Sequence, residues 1–227
     1  MNIAIILAAG IGKRMKGQDK ILFKIKGRPL FFYTAKIFED HPKIDKIIFV
    51  TRKIYFKNIF SAVKHYKLNK IARVVEGGKE RQDSAFLGLA TAGKIGAKSG
   101  DLILFHNVAN PMVLPEEISE VLAAARKYKA ALLCQPAKDT IKEVDKNGFL
   151  VRTLDRKKIF LAQVPQVIEY SLAKTVFETA KKDEFYGTDD VSLVERLGKK
   201  VKIVACSYKN IKITTRDDLK IIASFIR

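Results

Sequence analysis

Nine residues near the amino terminus, Leu7-Ala8-Ala9-Gly10-Ile11-Gly12-Lys13-Arg14-Met15, have the make-up of a loop that lets main chain come close to a ligand. Ala8, Ala9, Gly10 and Gly12 carry almost no side chain to hold a phosphate or a base away, and the two glycines can take dihedrals closed to other residues. Exposed N–H groups in such a loop cradle phosphate oxygens, and Arg14 and Lys20 add positive side chains nearby. The segment lacks the Gly-Lys-Ser/Thr ending of a P-loop and the spacing of the GxGxxG dinucleotide fingerprint. By itself a glycine-rich exit also describes a plain tight turn. The other reactive side chains form no constellation. His41, His65 and His106 are scattered without metal-ligand spacing, so no protein metal site is expected. Cys134 and Cys206 sit in apolar, strand-like surroundings, which fits buried thiols in a reducing cytoplasm.

The elements that must hold this loop alternate between strand and helix. Ile3–Leu7 is a continuous apolar run, which predicts a central strand delivering the glycines at its carboxyl end. Strands are also predicted at Lys46–Thr51, Ile71–Val75, Asp101–Phe105, Ala130–Cys134 and Val201–Cys206. Between them, helical spacing covers Leu30–Phe38, Phe56–Tyr66, Arg81–Ala92, Pro115–Tyr128, Ser171 to about Lys181 and a stretch near Asp189–Leu197, with a closing helix from Arg216. That order predicts an α/β fold with a mostly parallel sheet covered on both faces. The rhythm breaks once. Thr140–Val144 and Phe149–Leu154 flank Asp145-Lys146-Asn147-Gly148, a hairpin signal. A hairpin inserted in such a domain either lies on its own sheet or projects against a second subunit, and projection into a homodimer is the expectation.

The 227 residues suffice for a single domain spanning 1–227 with an arm at about 138–158, and the 48% hydrophobic content supplies its core. No apolar run reaches membrane-spanning length, and Met1–Ala8 lacks the basic flank of a secretion signal. The net charge of +19 suits nucleic acid or small polyanions. Because the lysines are dispersed, with no arginine-rich tail, an anionic small substrate is the expected partner and neither nucleic acid nor membrane is.

Four segments in order carry a chain-wide resemblance: Leu7–Met15, Gly77-Gly78-Lys79-Glu80-Arg81-Gln82-Asp83-Ser84, Pro136-Ala137-Lys138-Asp139-Thr140 and Asn210-Ile211-Lys212-Ile213-Thr214. From Asn2 to about Ile226 the chain resembles the 2-C-methyl-D-erythritol 4-phosphate cytidylyltransferases of the non-mevalonate isoprenoid pathway, and shares much with ribitol-5-phosphate cytidylyltransferases. The resemblance implies a Rossmann-like nucleotidyltransferase sheet, a β-arm exchanged across a homodimer, CTP and a polyol phosphate as substrates, and Mg²⁺ bound mainly through the CTP phosphates. It makes Arg14 and Lys20 the catalytic cations at the triphosphate. Ala8, Ala9, Gly10 and Gly12 then line the CTP site, and Gly78, Lys79 and Ser84 read the cytosine. Thr140 and Arg156 hold the acceptor phosphate from the neighbouring subunit, joined by Lys212 and Asn107. Arg81 and Asp83 are implied either in that loop's chemistry or as an ion pair pinning it.

The chain departs from the pattern around the acceptor. The family's His-Asp-Ala-Ala-Arg-Pro is His106-Asn107-Val108-Ala109-Asn110-Pro111, its Thr-Pro-Gln is Val164-Pro165-Gln166, and Asp19 and Ile21 flank Lys20 where the family has Pro and Gln. Asn107 keeps a hydrogen-bonding group without charge, and Asn110 cannot form a bidentate clamp. The alternatives are therefore a cytidylyltransferase for another polyol phosphate, such as ribitol 5-phosphate, or a catalytically weak nucleotide-binding homologue.

Overall fold

The computed structural model describes residues 1–10 and 20–226, the Lys20 side chain excepted. The chain runs through β1 (Asn2–Ala8), a small hairpin of β2 (Lys24–Ile25) and β3 (Arg28–Pro29), α1 (Leu30–Asp40), β4 (Lys46–Thr51), α2 (Phe56–Tyr66) and β5 (Ile71–Glu76). It continues with α3 (Arg81–Lys94), β6 (Leu102–Asn107), α4 (Pro115–Tyr128), β7 (Ala130–Pro136) and a second hairpin, β8 (Lys142–Val144) and β9 (Leu150–Thr153). Then come β10 (Phe160–Glu169), α5 (Tyr170–Lys182), α6 (Ser192–Arg196), β11 (Lys202–Ala205) and α7 (Arg216–Phe225).

A seven-stranded sheet has the order β11-β7-β10-β6-β1-β4-β5. β1 pairs in parallel with both β4 and β6, so the chain steps to one side of β1 and then returns to its other side. Such a reversal opens a crevice at the carboxyl ends of the strands. The apolar run of β1 explains its place inside the sheet, with a strand on either side. Ile3, Ile5 and Leu7 enter one core with α3, α5 and α6, while Ala4, Ile6 and Ala8 enter the other with α1, α2 and α4. A third, smaller cluster of Ile25, Leu30, Ile213, Leu219 and Ile222 seats α7 against β2 and α1. Among the described residues, no helix is long and apolar enough to cross a membrane.

The expected sheet is found, with one strand the pattern did not predict. β10 lies antiparallel between β6 and β7. Its outer half is exposed and its inner half buried, Pro165 interrupts it after a cis peptide, and the register slips between Ala162 and Gln166. Mixed burial and an internal proline both erase a strand's sequence signature. Around Asp189–Leu197 the expected helix is shorter: it starts at Ser192, after a turn in which Asp189 Oδ1 takes the Ser192 N–H at 2.9 Å.

The second hairpin forms as expected. Asp145 Oδ1 accepts the N–H groups of Asn147 and Phe149, both at 2.9 Å, and Gly148 closes the turn with φ +86°. The arm buries little: β9 is exposed throughout, and Phe149, Leu150 and Val151 are 71%, 60% and 57% exposed. It does not lie on its own sheet.

Candidate active site

Ala9 and Gly10, the first residues after β1, lie with the loops leaving β5 and β6 at the sheet's carboxyl edge. Gly77 N–H bonds Thr51 O at 3.0 Å, which draws the β5 loop across the end of β4. A Cβ built on Gly77 would lie 2.3 Å from Ala9 Cβ and 2.8 Å from Ser84 Oγ, and one on Gly78 2.3 Å from Asp83 Cβ. Both positions therefore require glycine for close approach. Ser84, at the start of α3, is buried under this loop. Its hydroxyl accepts the Gly78 N–H at 3.1 Å and donates to Glu80 O at 3.2 Å. The structure thus brings Ala8, Ala9, Gly10, Gly78 and Ser84 to one edge, with Lys79 exposed beside them. Gly12 and Arg14 lie outside the described residues, as does the Lys20 side chain, although the Lys20–Leu22 turn is placed at the entry to β2.

Next to that edge is a cleft of about 300 Å³ lined by Asn107, Asn110, Gln163, Val164, Thr188 and Lys212, with Arg81, Gln166 and Asp189 in its walls. Arg81 is its keystone. Its two terminal nitrogens donate to the carboxylate of Asp190 at 2.8 and 2.6 Å, and Nε donates to Asn107 Oδ1 at 3.2 Å. Burial would pull the Arg81 guanidinium down, but the charge and hydrogen bonds of Asp190, with Asp189 behind, hold it above its ordinary value. Since Asn107 Oδ1 is occupied, its amide N–H₂ group is the part left to meet a ligand. Gln166 fixes the opposite wall: Oε1 accepts the N–H groups of Asp190 and Val191 at 2.9 and 3.1 Å, and Nε2 donates to Asp189 at 2.8 Å.

Asn110 and His106 close the floor. His106 is fully buried, and burial drives its pKa down to about 4, so the ring is neutral at pH 7; its Nε2–H donates to Asn110 O at 2.9 Å. Asn110 Nδ2 reaches Asn210 Oδ1 at 3.4 Å, and Asn210 in turn donates to Val164 O at 2.8 Å. Ile213 N–H bonds Ala109 O at 2.8 Å, which places Lys212 over the cleft.

Two implied site residues are not brought here. Thr140 is exposed at the root of the arm, and Arg156, in a one-turn segment after β9, spends a nitrogen on Lys138 O at 2.7 Å. Neither lines the cleft. Arg81 and Asp83 do not pair with each other. Arg81 goes to Asp190, while Asp83 folds back on the Glu80 N–H at 2.9 Å as a helix cap, since a residue at the third helical position reaches its own cap more readily. The sequence reading gave no role to Gln166, Thr188, Asp189 or Asp190. The Gly187-Thr188-Asp189-Asp190 cluster carries a loop signal that could have located three of them.

The family model for 2-C-methyl-D-erythritol 4-phosphate cytidylyltransferase matches residues 2–227. The chain is 41% identical over 217 residues to the protein of that name from Shouchella clausii, covering 95% of this chain and 92% of the relative. To that of Caldanaerobacter subterraneus it is 39% identical, with both chains covered completely. Among solved structures it is similar to 4-diphosphocytidyl-2C-methyl-D-erythritol synthase from Anaerococcus prevotii, with a TM-score of 0.87 and 30% identity over 99% of this chain and 95% of that one. For 2-C-methyl-D-erythritol 4-phosphate cytidylyltransferase of Francisella tularensis the TM-score is 0.83 and the identity 31%, over 99% of each chain.

Proposed function

The chain belongs to the 2-C-methyl-D-erythritol 4-phosphate cytidylyltransferase family, and from that premise we propose how its residues divide the work of moving CMP from CTP onto 2-C-methyl-D-erythritol 4-phosphate. It is a nucleotidyltransferase of isoprenoid precursor synthesis. Cytidine lies along Ala8–Gly10 and the Gly77–Lys79 loop, and the triphosphate is met by Gly12, Arg14 and Lys20. The acceptor fills the cleft beside Arg81, between Asn107 and Lys212. One acceptor phosphate oxygen attacks the α-phosphorus of CTP, the bond from that phosphorus to the bridging oxygen breaks, and pyrophosphate departs. An acceptor phosphate is already ionised near neutral pH, so positioning and cations, rather than a general base, lower the barrier. Arg14 and Lys20 meet the charge that grows on the α-phosphoryl oxygens.

Magnesium suits this arrangement as a passenger on the triphosphate. The carboxylates beside the cleft are committed, Asp190 to Arg81 and Asp189 to Gln166 and Ser192. Bound there, the ion would neutralise phosphate charge. Thr140 and Arg156 reach the acceptor phosphate from a second subunit, through arms that exchange in a homodimer. We place the enzyme in the cytoplasm, where the free thiols Cys134 and Cys206 stay reduced.

The observation that carries this division is the contact of the β5 loop with the exit of β1, where only glycine fits at Gly77. It leaves bare main chain along the strand ends for a base and sugar. Pyrophosphate release is the test, run with CTP, ATP, GTP and UTP against methylerythritol phosphate and ribitol 5-phosphate. Turnover confined to CTP with methylerythritol phosphate is expected, abolished by Arg14→Ala or Lys20→Ala. An intact rate in Lys20→Ala would refute the catalytic assignment.

A further inference from the structure

A second concavity lies apart from the substrate cleft, between the β2–β3 hairpin and α7. It encloses about 470 Å³ and is lined by Phe23, Lys24, Ile25, Lys26, Arg216, Leu219, Lys220 and Ala223. Its floor is apolar: Ile25 and Leu219 are buried there as part of the small cluster that also holds Ile213. Its rim is cationic. Among the described residues, no carboxylate pairs with Lys24, Lys26 or Arg216. The two acids on the same helix are engaged, Asp217 with Lys220 at 3.0 Å and Asp218 with the N–H groups of Thr214 and Thr215 at 2.7 and 2.8 Å. Phe23 leaves 39% of its surface open at the mouth.

An apolar basin ringed by three cations, none of them paired by a described carboxylate, matches one kind of ligand. We propose that this cleft binds a small amphipathic phosphate, a short alkyl chain ending in a phosphate group. The chain rests on Ile25, Leu219 and Ala223, and the dianionic head meets Arg216, Lys24 and Lys26. A cavity of this size is typical for a small-molecule site. Because its floor also packs Ile213, beside Lys212, an occupant bears on the segment that roofs the substrate cleft.

Hexyl phosphate is the probe, titrated calorimetrically into the full chain. Saturation at one site per chain is expected, unaltered by excess CTP. The double variant Lys24→Gln with Arg216→Gln weakens binding at least tenfold. Ala223→Leu, which fills the floor and keeps every charge, does the same, and circular dichroism checks that each variant is folded. The proposal fails if inorganic phosphate or hexanol binds as tightly as hexyl phosphate, if CTP displaces the probe, or if both variants bind it like the parent.

Discussion

Arg81 holds together two residues that the chain separates widely, Asn107 on one strand end and Asp190 on a late loop, and it does so with a carboxylate that is 1% exposed. Removing the guanidinium strands that buried charge. Arg81→Met is therefore expected to lower stability by about 3 kcal/mol in urea unfolding at pH 7, the low end for a buried pair because Arg81 itself is a third exposed. A loss below about 1 kcal/mol would reduce the pair to a surface contact. His106 gives a second residue-scale prediction. Its ring stays neutral down to about pH 4, whereas an unfolded chain protonates it near 6.5. Between those values the unfolded chain binds the extra proton, so stability falls as pH drops from 6.5 toward 4, by up to about 3 kcal/mol. His41, also held low by burial, adds to the same slope. Unfolding midpoints at pH 7 and pH 5 should converge in His106→Gln, leaving the smaller His41 share. The small residues that meet at the sheet's edge, Ala8 to Gly10 and the Gly77-Gly78 pair, were legible in the sequence because close approach demands small residues in a row. The Arg81–Asp190 pair was not, since nothing local marks an arginine whose partner is brought up by a distant loop.

The helices and strands were the most readable layer. β1 announced its central position through unbroken apolarity, and α2 and α4 run over the residues their spacing predicted, because amphipathic periodicity follows directly from burying one face. β10 escaped because it is two things in succession, an exposed rail toward the arm and a buried strand inside the sheet. Packing of α3 on the sheet hinges on Gly88: a Cβ there would sit 2.5 Å from Ile5 Cγ2 and 3.2 Å from Val50 Cγ2. Alanine favours a helix by about 1 kcal/mol over glycine, but overpacking a core costs about 1–3 kcal/mol. Gly88→Ala is thus expected to destabilise. A variant with a raised melting temperature would show that α3 can shift outward freely.

At the scale of the whole molecule, the arm's bare apolar surface is what a second subunit would cover. Light scattering should find the parent as a dimer and Phe149→Glu with Val151→Glu as a monomer of low activity. Mixing offers the sharper check. Lys20→Ala chains, inactive alone, and Arg156→Ala chains, weakened in acceptor use, should together reach about a quarter of parental activity on exchange, since half of random pairs are mixed and each holds one complete site. No recovery would mean that Arg156 does not serve a neighbour's cleft. Sheet order lay beyond sequence reading, because it depends on where β10 inserts and not on how any segment is patterned. That insertion has an outcome for change over time. Gln163 and Val164 occupy a short gap in the ladder, pinned at Ala162 opposite Cys134 and at Gln166 opposite Leu132. A substitution in the gap rewrites one wall of the groove while the pegs at either end keep the scaffold in register, so the shape and polarity of that wall can drift independently of the architecture around it.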